Sequence, residues 1–167
     1  MIGASIDSLL ISALWGTHIK YLGVFAIDQI PITLTHYPCA YVANTDPISK
    51  PGQHWTAFYH LSPTELEFFD SYGSPPHEYE FPVPPNLTSL LYNSYPLQSP
   101  HSTVCGQYCI FYLIQRSLHV AFVDIVNALR RCSNPDLYVR MYVTKVNARF
   151  PSILHSCSNN QICMCKK

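Results

Sequence analysis

The central feature of the 167-residue sequence is Ser102-Thr103-Val104-Cys105-Gly106-Gln107-Tyr108-Cys109-Ile110-Phe111-Tyr112-Leu113-Ile114. Its polar start and apolar continuation predict a buried helix with Cys105 in the first turn. Backbone N–H groups are unpaired at a helix N-terminus and the helix dipole is positive there, so a thiolate is stabilised. Cys105 is therefore a candidate nucleophile. The alternative is a small buried apolar side chain, as most free cysteines are.

The composition indicates a folded domain, because 48% of the residues are hydrophobic and 13% are aromatic. We expect no transmembrane segment, since no apolar run approaches the roughly 20 residues of a membrane span. A basic leader with a small-residue cleavage site is not recognisable at the N-terminus, so we also expect no secretion signal, synthesis in the cytosol and no membrane partner. We further expect a monomer.

The charge balance argues against a global attraction to nucleic acid. Ten basic and ten acidic residues give a formal net charge of zero. A nucleic-acid contact would need a local basic patch, for which the candidates lie late in the chain: Arg130, Arg131, Arg140, Lys145 and Arg149. By default these residues form a solvated helix face.

The seven cysteines do not predict a disulfide framework, because the count is odd and no export signal is seen. Cys157, Cys163 and Cys165 lack the paired spacing of zinc ligands, so no metal site is expected. Cys39 and Cys109 are interpreted as core packing. We expect a single catalytic domain over residues 1–151, followed by a cysteine-containing tail over residues 152–167.

Apolar periodicity and turn residues predict the order of elements. An N-terminal amphipathic helix is capped by Ser5 and ends at Gly16, and three short strands follow over 21–26, 32–34 and 39–43. A proline-rich surface loop covers 75–86 and a short helix covers 88–92. Further helices run from Cys105 to about Leu118, over 123–131, and from an Asn134-Pro135 start to Asn147. The pattern is that of one α+β domain.

A hairpin places His54 beside Asp70. Residues 54–61 alternate between two faces and 66–70 return as the partner strand after a short turn. Both residues therefore lie at the same end of adjacent strands. His54 near Cys105 would hold a thiolate and later protonate a leaving amine, and Asp70 would orient the imidazole. The amide of Gln98, with the Cys105 N–H, would stabilise an oxyanion.

Each of these residues also has an ordinary structural interpretation. His54 would be a half-exposed strand histidine, Asp70 a turn residue and Gln98 a loop residue without a role. Their occurrence in one plausible geometry favours nucleophilic catalysis.

The same residues resemble the adenovirus endopeptidase (adenain) family and, more distantly, the SUMO-specific cysteine proteases. The resemblance lies in Tyr21-Leu22-Gly23, Gly52-x-His54-Trp55-x-Ala57-Phe58, Phe68-Phe69-Asp70-x-x-Gly73, Gln98 seven residues before Cys105, Cys105-Gly106-x-x-Cys109 and Asn134-Pro135. It implies an α+β, papain-like cysteine protease fold of the adenain type, a central mixed sheet with the nucleophile helix packed on it.

The resemblance also implies the site. His54 is the general base, Asp70 its acid, Cys105 the nucleophile and Gln98 the oxyanion residue. Trp55 is expected to pack against the imidazole, and Gly106 belongs to the nucleophile motif. The implied activity is cleavage of viral or virus-like-element precursor proteins during capsid or core maturation, at glycine-containing sites, in the host nucleus and the virion.

Three departures limit these implications. Asp70 stands where adenain has glutamate, which is closer to the SUMO proteases. No cysteine lies between Cys39 and Cys105, so an activating viral peptide would not be disulfide-linked in the adenain manner. The net charge of zero weakens the expectation of a DNA cofactor. No cofactor is required by the sequence.

Three other functions remain open at this stage. The Asp70 context favours a protease for ubiquitin-like or SUMO-like modifiers. A catalytically silent structural or binding module is a second alternative, although all four candidate catalytic positions are filled. Acyl transfer would need an acyl-CoA site, for which the sequence offers no convincing basic cluster.

Overall fold

The structure is a computed structural model that describes residues 2–150. The predicted tail over 152–167, with Cys157, Cys163 and Cys165, lies outside the described residues. No helix within 2–150 is long and apolar enough to cross a membrane.

Four helices and five strands make up the described chain. In order they are α1 (Ile2–Ala13), β1 (Lys20–Phe25), β2 (Cys39–Asn44), β3 (Trp55–Ser62), β4 (Glu65–Phe69), β5 (Ser89–Tyr92), α2 (Cys105–Ser117), α3 (Phe122–Arg131) and α4 (Pro135–Arg149). The strands form one sheet in the order β1-β2-β3-β4-β5. The outer pairs β1–β2 and β4–β5 are parallel and the inner pairs are antiparallel. The predicted mixed sheet in an α+β fold is confirmed.

The sheet separates two apolar cores, as the alternation in β3 predicts. Ala57 and Tyr59 point to the helical side, where α1, α2, α3 and α4 supply most of the partners. Phe58 points to the other side and packs with Phe68 and Phe81. Phe81 comes from the proline-rich segment 75–86, which also contains a short 3-10 helix at Pro76–Tyr79. The loop therefore covers one face of the sheet.

The cysteine helix α2 is buried along most of its length and packs against β3, α1 and α4. Its second residue is Gly106, and a Cβ built there would lie 2.7 Å from Cδ1 of Ile6. Glycine at this position lets α1 approach the first turn of α2. At the other end of α2, Arg116 Nε donates to Glu67 Oε2 on β4 at 2.8 Å.

One predicted helix cap and two predicted elements are wrong. Helix α1 begins at Ile2, so Ser5 lies inside the helix and is not its N-cap. Residues 32–34 form no strand, and Ile32 is 99% exposed. The helix predicted over 88–92 is instead β5, which pairs with β4 in parallel. The ends of the later helices agree closely, and the Asn134 side chain accepts a hydrogen bond from the Leu137 N–H at 3.0 Å, which confirms the predicted cap.

Candidate active site

Cys105 is the first residue of α2 and is 8% exposed. The backbone N–H groups of this first turn have no partner inside the helix. Burial alone would raise the pKa of the thiol. The His54 side chain and the backbone N–H groups of Trp55 and Gly106 outweigh burial and lower the pKa of Cys105. The thiol is therefore held in a setting that favours the thiolate.

His54 immediately precedes β3 and is 7% exposed. Its Nε2 lies 2.5 Å from Asp70 Oδ1. Because a carboxylate only accepts hydrogen bonds, Nε2 carries the proton, and Nδ1 is the nitrogen left for Cys105. Burial opposes a positive imidazole, but Asp70 and Cys105 overcome it and raise the pKa of His54 to about 9.

The opposite pKa shifts of His54 and Cys105 favour an imidazolium–thiolate pair. The two contacts of the ring are unequal. The Asp70 contact is short, whereas Nδ1 meets no partner at hydrogen-bond geometry within residues 2–150. Hydrogen bonds of a catalytic pair are often long in the absence of substrate and tighten when it binds. The ring is thus anchored on its acid side and adjustable on its thiol side.

The Asp70 carboxylate accepts hydrogen bonds from four donors. Besides His54, they are the Tyr72 N–H at 3.0 Å, the Ser74 N–H at 2.9 Å and the Tyr79 hydroxyl at 3.0 Å. The turn that supplies two of them contains Gly73 at a φ of +81°, and a Cβ there would overlap the Tyr95 backbone. Glycine is required for this close approach. The acid therefore has little freedom to rotate.

Asn93, which directly follows β5, fixes the backbone of the acid. Its Oδ1 accepts from the Asp70 N–H at 3.1 Å and its Nδ2 donates to the Asp70 carbonyl at 2.5 Å. This reciprocal pair joins the end of β5 to the end of β4.

Gln98 is 3% exposed and all of its side-chain amide is hydrogen-bonded. Its Nε2 donates to the Ser102 carbonyl at 2.7 Å and to the Tyr72 hydroxyl at 3.2 Å. Its Oε1 accepts from the Ser71 hydroxyl at 2.7 Å. The Ser102 carbonyl can only accept, which identifies the amide nitrogen. The backbone N–H groups of Leu97 and Gln98 both donate to the Ser71 carbonyl, so the glutamine loop is joined to the acid turn.

The same loop is held on its other side by α2 and α4. The Tyr108 hydroxyl lies 3.0 Å from the Leu97 carbonyl and 2.9 Å from Asp136 Oδ1. Asp136 Oδ2 accepts from the Ser99 N–H at 3.2 Å. The loop therefore has a defined position relative to the start of α2.

The structure places His54 against Asp70 at the start of α2, where Cys105 lies, and the Gln98 loop is joined to the acid turn. Trp55 lies elsewhere than expected. Its indole packs against Gly3 and lies 3.9 Å from a Cβ built on Gly106. The rings that contact the imidazole are those of Tyr72, at 4.6 Å between centroids, and Tyr79, at 5.9 Å.

Sequence reasoning missed several side chains that hold the site: Ser71, Tyr72, Tyr79, Asn93 and Asp136. Of these residues, only Ser71 and Tyr72 lie close enough to Asp70 in the sequence to be suspected as neighbours of the acid. Cys109 and Cys39 are buried, which agrees with core packing. Burial raises the pKa of Cys39 to about 11 and also raises that of Cys109 well above its usual value. Over residues 2–150 no group of three or more His, Cys, Asp or Glu side chains is arranged to hold a metal ion.

A cavity of about 300 Å³ lies beside the site, between the start of α1 and the loop before β3. Gly52 and Trp55, on either side of His54 in the sequence, are part of its lining, together with Asp7, Asn44 and Asp46. The cavity is thus next to the Trp55 indole, which also packs near Gly106.

No protein-family model and no curated protein sequence matches this sequence. Among solved structures, the ASFV pS273R protease matches with a TM-score of 0.56 and 19% identity, over 82% of this chain and 64% of the protease. This chain therefore spans 64% of the length of that protease. The central domain of the uncharacterized Lpg1148 protein from Legionella pneumophila matches with a TM-score of 0.51 and 16% identity, over 90% of this chain and 98% of that domain. The protein shares its α+β fold with both.

Proposed function

We propose that this protein is a cysteine endopeptidase in which Cys105 is the nucleophile, His54 the general base and acid, and Asp70 the residue that orients His54. The observation that carries the proposal is the short Asp70–His54 hydrogen bond, together with the influence of His54 and Cys105 on each other: the pKa of the thiol is lowered and that of the imidazole is raised. The fold shared with the ASFV protease supports it.

In the proposed reaction, the Cys105 thiolate attacks the carbonyl carbon of a peptide bond. The carbonyl oxygen becomes an oxyanion near the Cys105 N–H and the donors around Gln98. The His54 imidazolium gives its Nδ1 proton to the leaving amine, and a thioester remains on Cys105. His54 then removes a proton from water, the resulting hydroxide attacks the thioester, and the carboxylic acid leaves with regeneration of the thiolate and imidazolium.

The proposed substrates are precursor proteins of a virus or virus-like element, cut at glycine-containing sites. The resemblance to adenain supports this choice. The same proposal includes a monomeric enzyme that acts in the host nucleus and the virion. It also includes activation by DNA or by a peptide that is not disulfide-linked.

The experiment that tests the mechanism is alkylation of each cysteine by iodoacetamide as a function of pH, followed by mass spectrometry. Cys105 should react well below the pH at which a free thiol ionises, about 8.5. The variant His54→Ala should lose this reactivity, because burial of the thiol is then no longer opposed by the imidazole.

The buried thiols Cys39 and Cys109 are controls within the same molecule, since burial raises their pKa values and hinders the reagent. They should stay unlabelled while the protein is folded. Labelling of Cys105 only in parallel with the other thiols, or unchanged labelling in His54→Ala, would contradict the mechanism.

A second candidate substrate is a ubiquitin-like modifier. The Asp70-Ser71 context favours it, and the Ser71 hydroxyl contacts the Gln98 amide. Ubiquitin and SUMO carrying a C-terminal electrophile should then label Cys105. Labelling by neither would count against this substrate and leave the alkylation result unaffected.

A further inference from the structure

The hydroxyl of Tyr72 lies next to the amide that the sequence assigns to the oxyanion hole, since it accepts a hydrogen bond from Gln98 Nε2 at 3.2 Å. An oxyanion at Cys105 is expected to face the Cys105 N–H and the free N–H of Gln98. In the structure neither N–H of the Gln98 amide is free, because one donates to the Ser102 carbonyl and the other to the Tyr72 hydroxyl. The Tyr72 oxygen therefore occupies the position of an acceptor for Gln98.

The hydroxyl of Tyr72 has its own proton to offer. Within residues 2–150, the structure provides no acceptor for it, whereas the oxygen accepts from Gln98 Nε2 at 3.2 Å. An O–H group whose oxygen accepts a hydrogen bond becomes a better donor, since neighbouring hydrogen bonds polarise one another. Burial, together with the negative charges of Cys105 and Asp70, raises the pKa of Tyr72. The hydroxyl thus keeps its proton when the thiolate is formed.

The position of Tyr72 is well determined, which argues against its simple displacement by substrate. Its N–H donates to Asp70 Oδ1, its ring lies 4.6 Å from the His54 ring, and the turn is closed by the Gly73 N–H to the Asp70 carbonyl at 3.0 Å. The residue is half-buried, so one side of it remains open to a bound peptide.

We propose that Tyr72 is a catalytic residue whose hydroxyl donates to the oxyanion of the tetrahedral intermediate, together with the Cys105 N–H. Gln98 is then a positioning residue, which orients and polarises that hydroxyl. This inference rests on the proposed endopeptidase function and assigns the oxyanion contact differently from the sequence, which gives it to Gln98 directly.

The test compares two reactions of the same thiol. Acylation by p-nitrophenyl acetate passes through a tetrahedral oxyanion, whereas alkylation by iodoacetamide displaces iodide and forms none. The ratio of the two rates therefore reports the oxyanion hole separately from the reactivity of the thiolate. The variant Tyr72→Phe keeps the ring on His54 and removes only the hydroxyl.

In Tyr72→Phe, acylation should fall by about 100-fold, the lower end of the cost of losing one oxyanion donor, while alkylation stays within twofold. Gln98→Ala should give a similar or smaller decrease. The double variant should be no slower than the slower single variant, because residues that act as one unit are not additive.

Two tyrosine controls accompany this series. Tyr79→Phe removes a donor from Asp70 and should lower acylation and alkylation in proportion, leaving the ratio unchanged. Tyr92→Phe removes an exposed hydroxyl on β5 and should change neither rate.

An unchanged or faster acylation in Tyr72→Phe would overturn the inference, because the hydroxyl would then only compete for the Gln98 amide. Absence of acylation in the wild type, with normal alkylation, would also overturn it. Failure of the proposed function appears elsewhere, as alkylation of Cys105 that does not depend on His54. The alkylation rate of each variant also reports whether its site is folded.

Discussion

The two ends of helix α2 both hold charged partners in a buried setting, but they satisfy them differently. At the C-terminal end, Glu67 Oε2 accepts from Arg116 Nε at 2.8 Å and from the Tyr112 hydroxyl at 2.6 Å. At the N-terminal end, His54 has its short contact to Asp70, while Nδ1 on the Cys105 side lacks a partner at hydrogen-bond geometry. Polar groups that have all their hydrogen-bond partners stabilise the fold, whereas the Nδ1 of His54, which lacks one, is available to a substrate.

The same helix also separates two thiols by a single turn. Cys105 and Cys109 lie on one side of α2 and both are buried. The pKa of Cys105 is lowered by His54 and backbone N–H groups, whereas burial raises that of Cys109 far above its usual value. Burial alone therefore gives an inert thiol, and the imidazole with the helix start gives a reactive one.

The largest predicted effect separates these two thiols. Cys105→Ala should abolish cleavage of a scanned peptide library, because His54 lowers the pKa of Cys105, whereas burial raises the pKa values of Cys39 and Cys109. Cys109→Ala should retain cleavage within a fewfold and lose about 1 kcal/mol of stability. Product formation, measured by mass spectrometry beside chemical denaturation, tests both variants. Residual cutting by Cys105→Ala, or inactive but folded Cys109→Ala, would contradict the assignment.

The features predicted from the sequence have local signals. Alternation in 54–61 predicts the two faces of β3, and the hairpin length places His54 beside Asp70. The polar start before an apolar run predicts that Cys105 begins a helix, and Asn134-Pro135 predicts the start of α4. In each case the residues that give the signal lie within about 16 positions of the feature that they predict.

The features that were missed depend on distant partners. Strand β5 is exposed along its whole length and exists because it pairs with β4, so its sequence lacks a buried face that would identify it. Asn93 and Asp136 act across 23 and 37 residues, on Asp70 and Ser99. Tyr72 and Tyr79 replace Trp55 beside the imidazole because of the path of the acid turn, which residue type alone does not reveal.

The second prediction concerns the saturated end of α2. Glu67→Ala leaves the Arg116 guanidinium without its carboxylate and the Tyr112 hydroxyl without its acceptor. Loss of one partner from a buried ion pair costs about 3 kcal/mol or more, which is roughly 100-fold in the folding equilibrium. The midpoint of urea unfolding measures this loss, and iodoacetamide labelling of Cys105 in the folded variant should remain dependent on His54.

The matched control for Glu67→Ala replaces both charges. Glu67→Met with Arg116→Met removes the pair together and fills similar volume, which is often neutral for stability. The double variant should therefore be more stable than Glu67→Ala. Equal destabilisation of both variants would mean that the attraction between Glu67 and Arg116 itself stabilises the fold. The loss in Glu67→Ala would then not come from leaving Arg116 and Tyr112 without a hydrogen-bond partner, which would contradict the description of this end of α2.

The smallest predicted effect is the pH dependence of catalysis at the N-terminal end of α2. Peptide acylation needs the Cys105 thiolate, which exists above the lowered pKa of the thiol, and the His54 imidazolium, which exists below about pH 9. The value of kcat/KM should therefore be bell-shaped and fall about tenfold per pH unit on the alkaline side once His54 loses its proton. Alkylation by iodoacetamide needs only the thiolate and should not fall there. A parallel alkaline decline of both rates would instead indicate unfolding, and a constant kcat/KM above pH 9 would remove His54 as the acid that protonates the leaving amine.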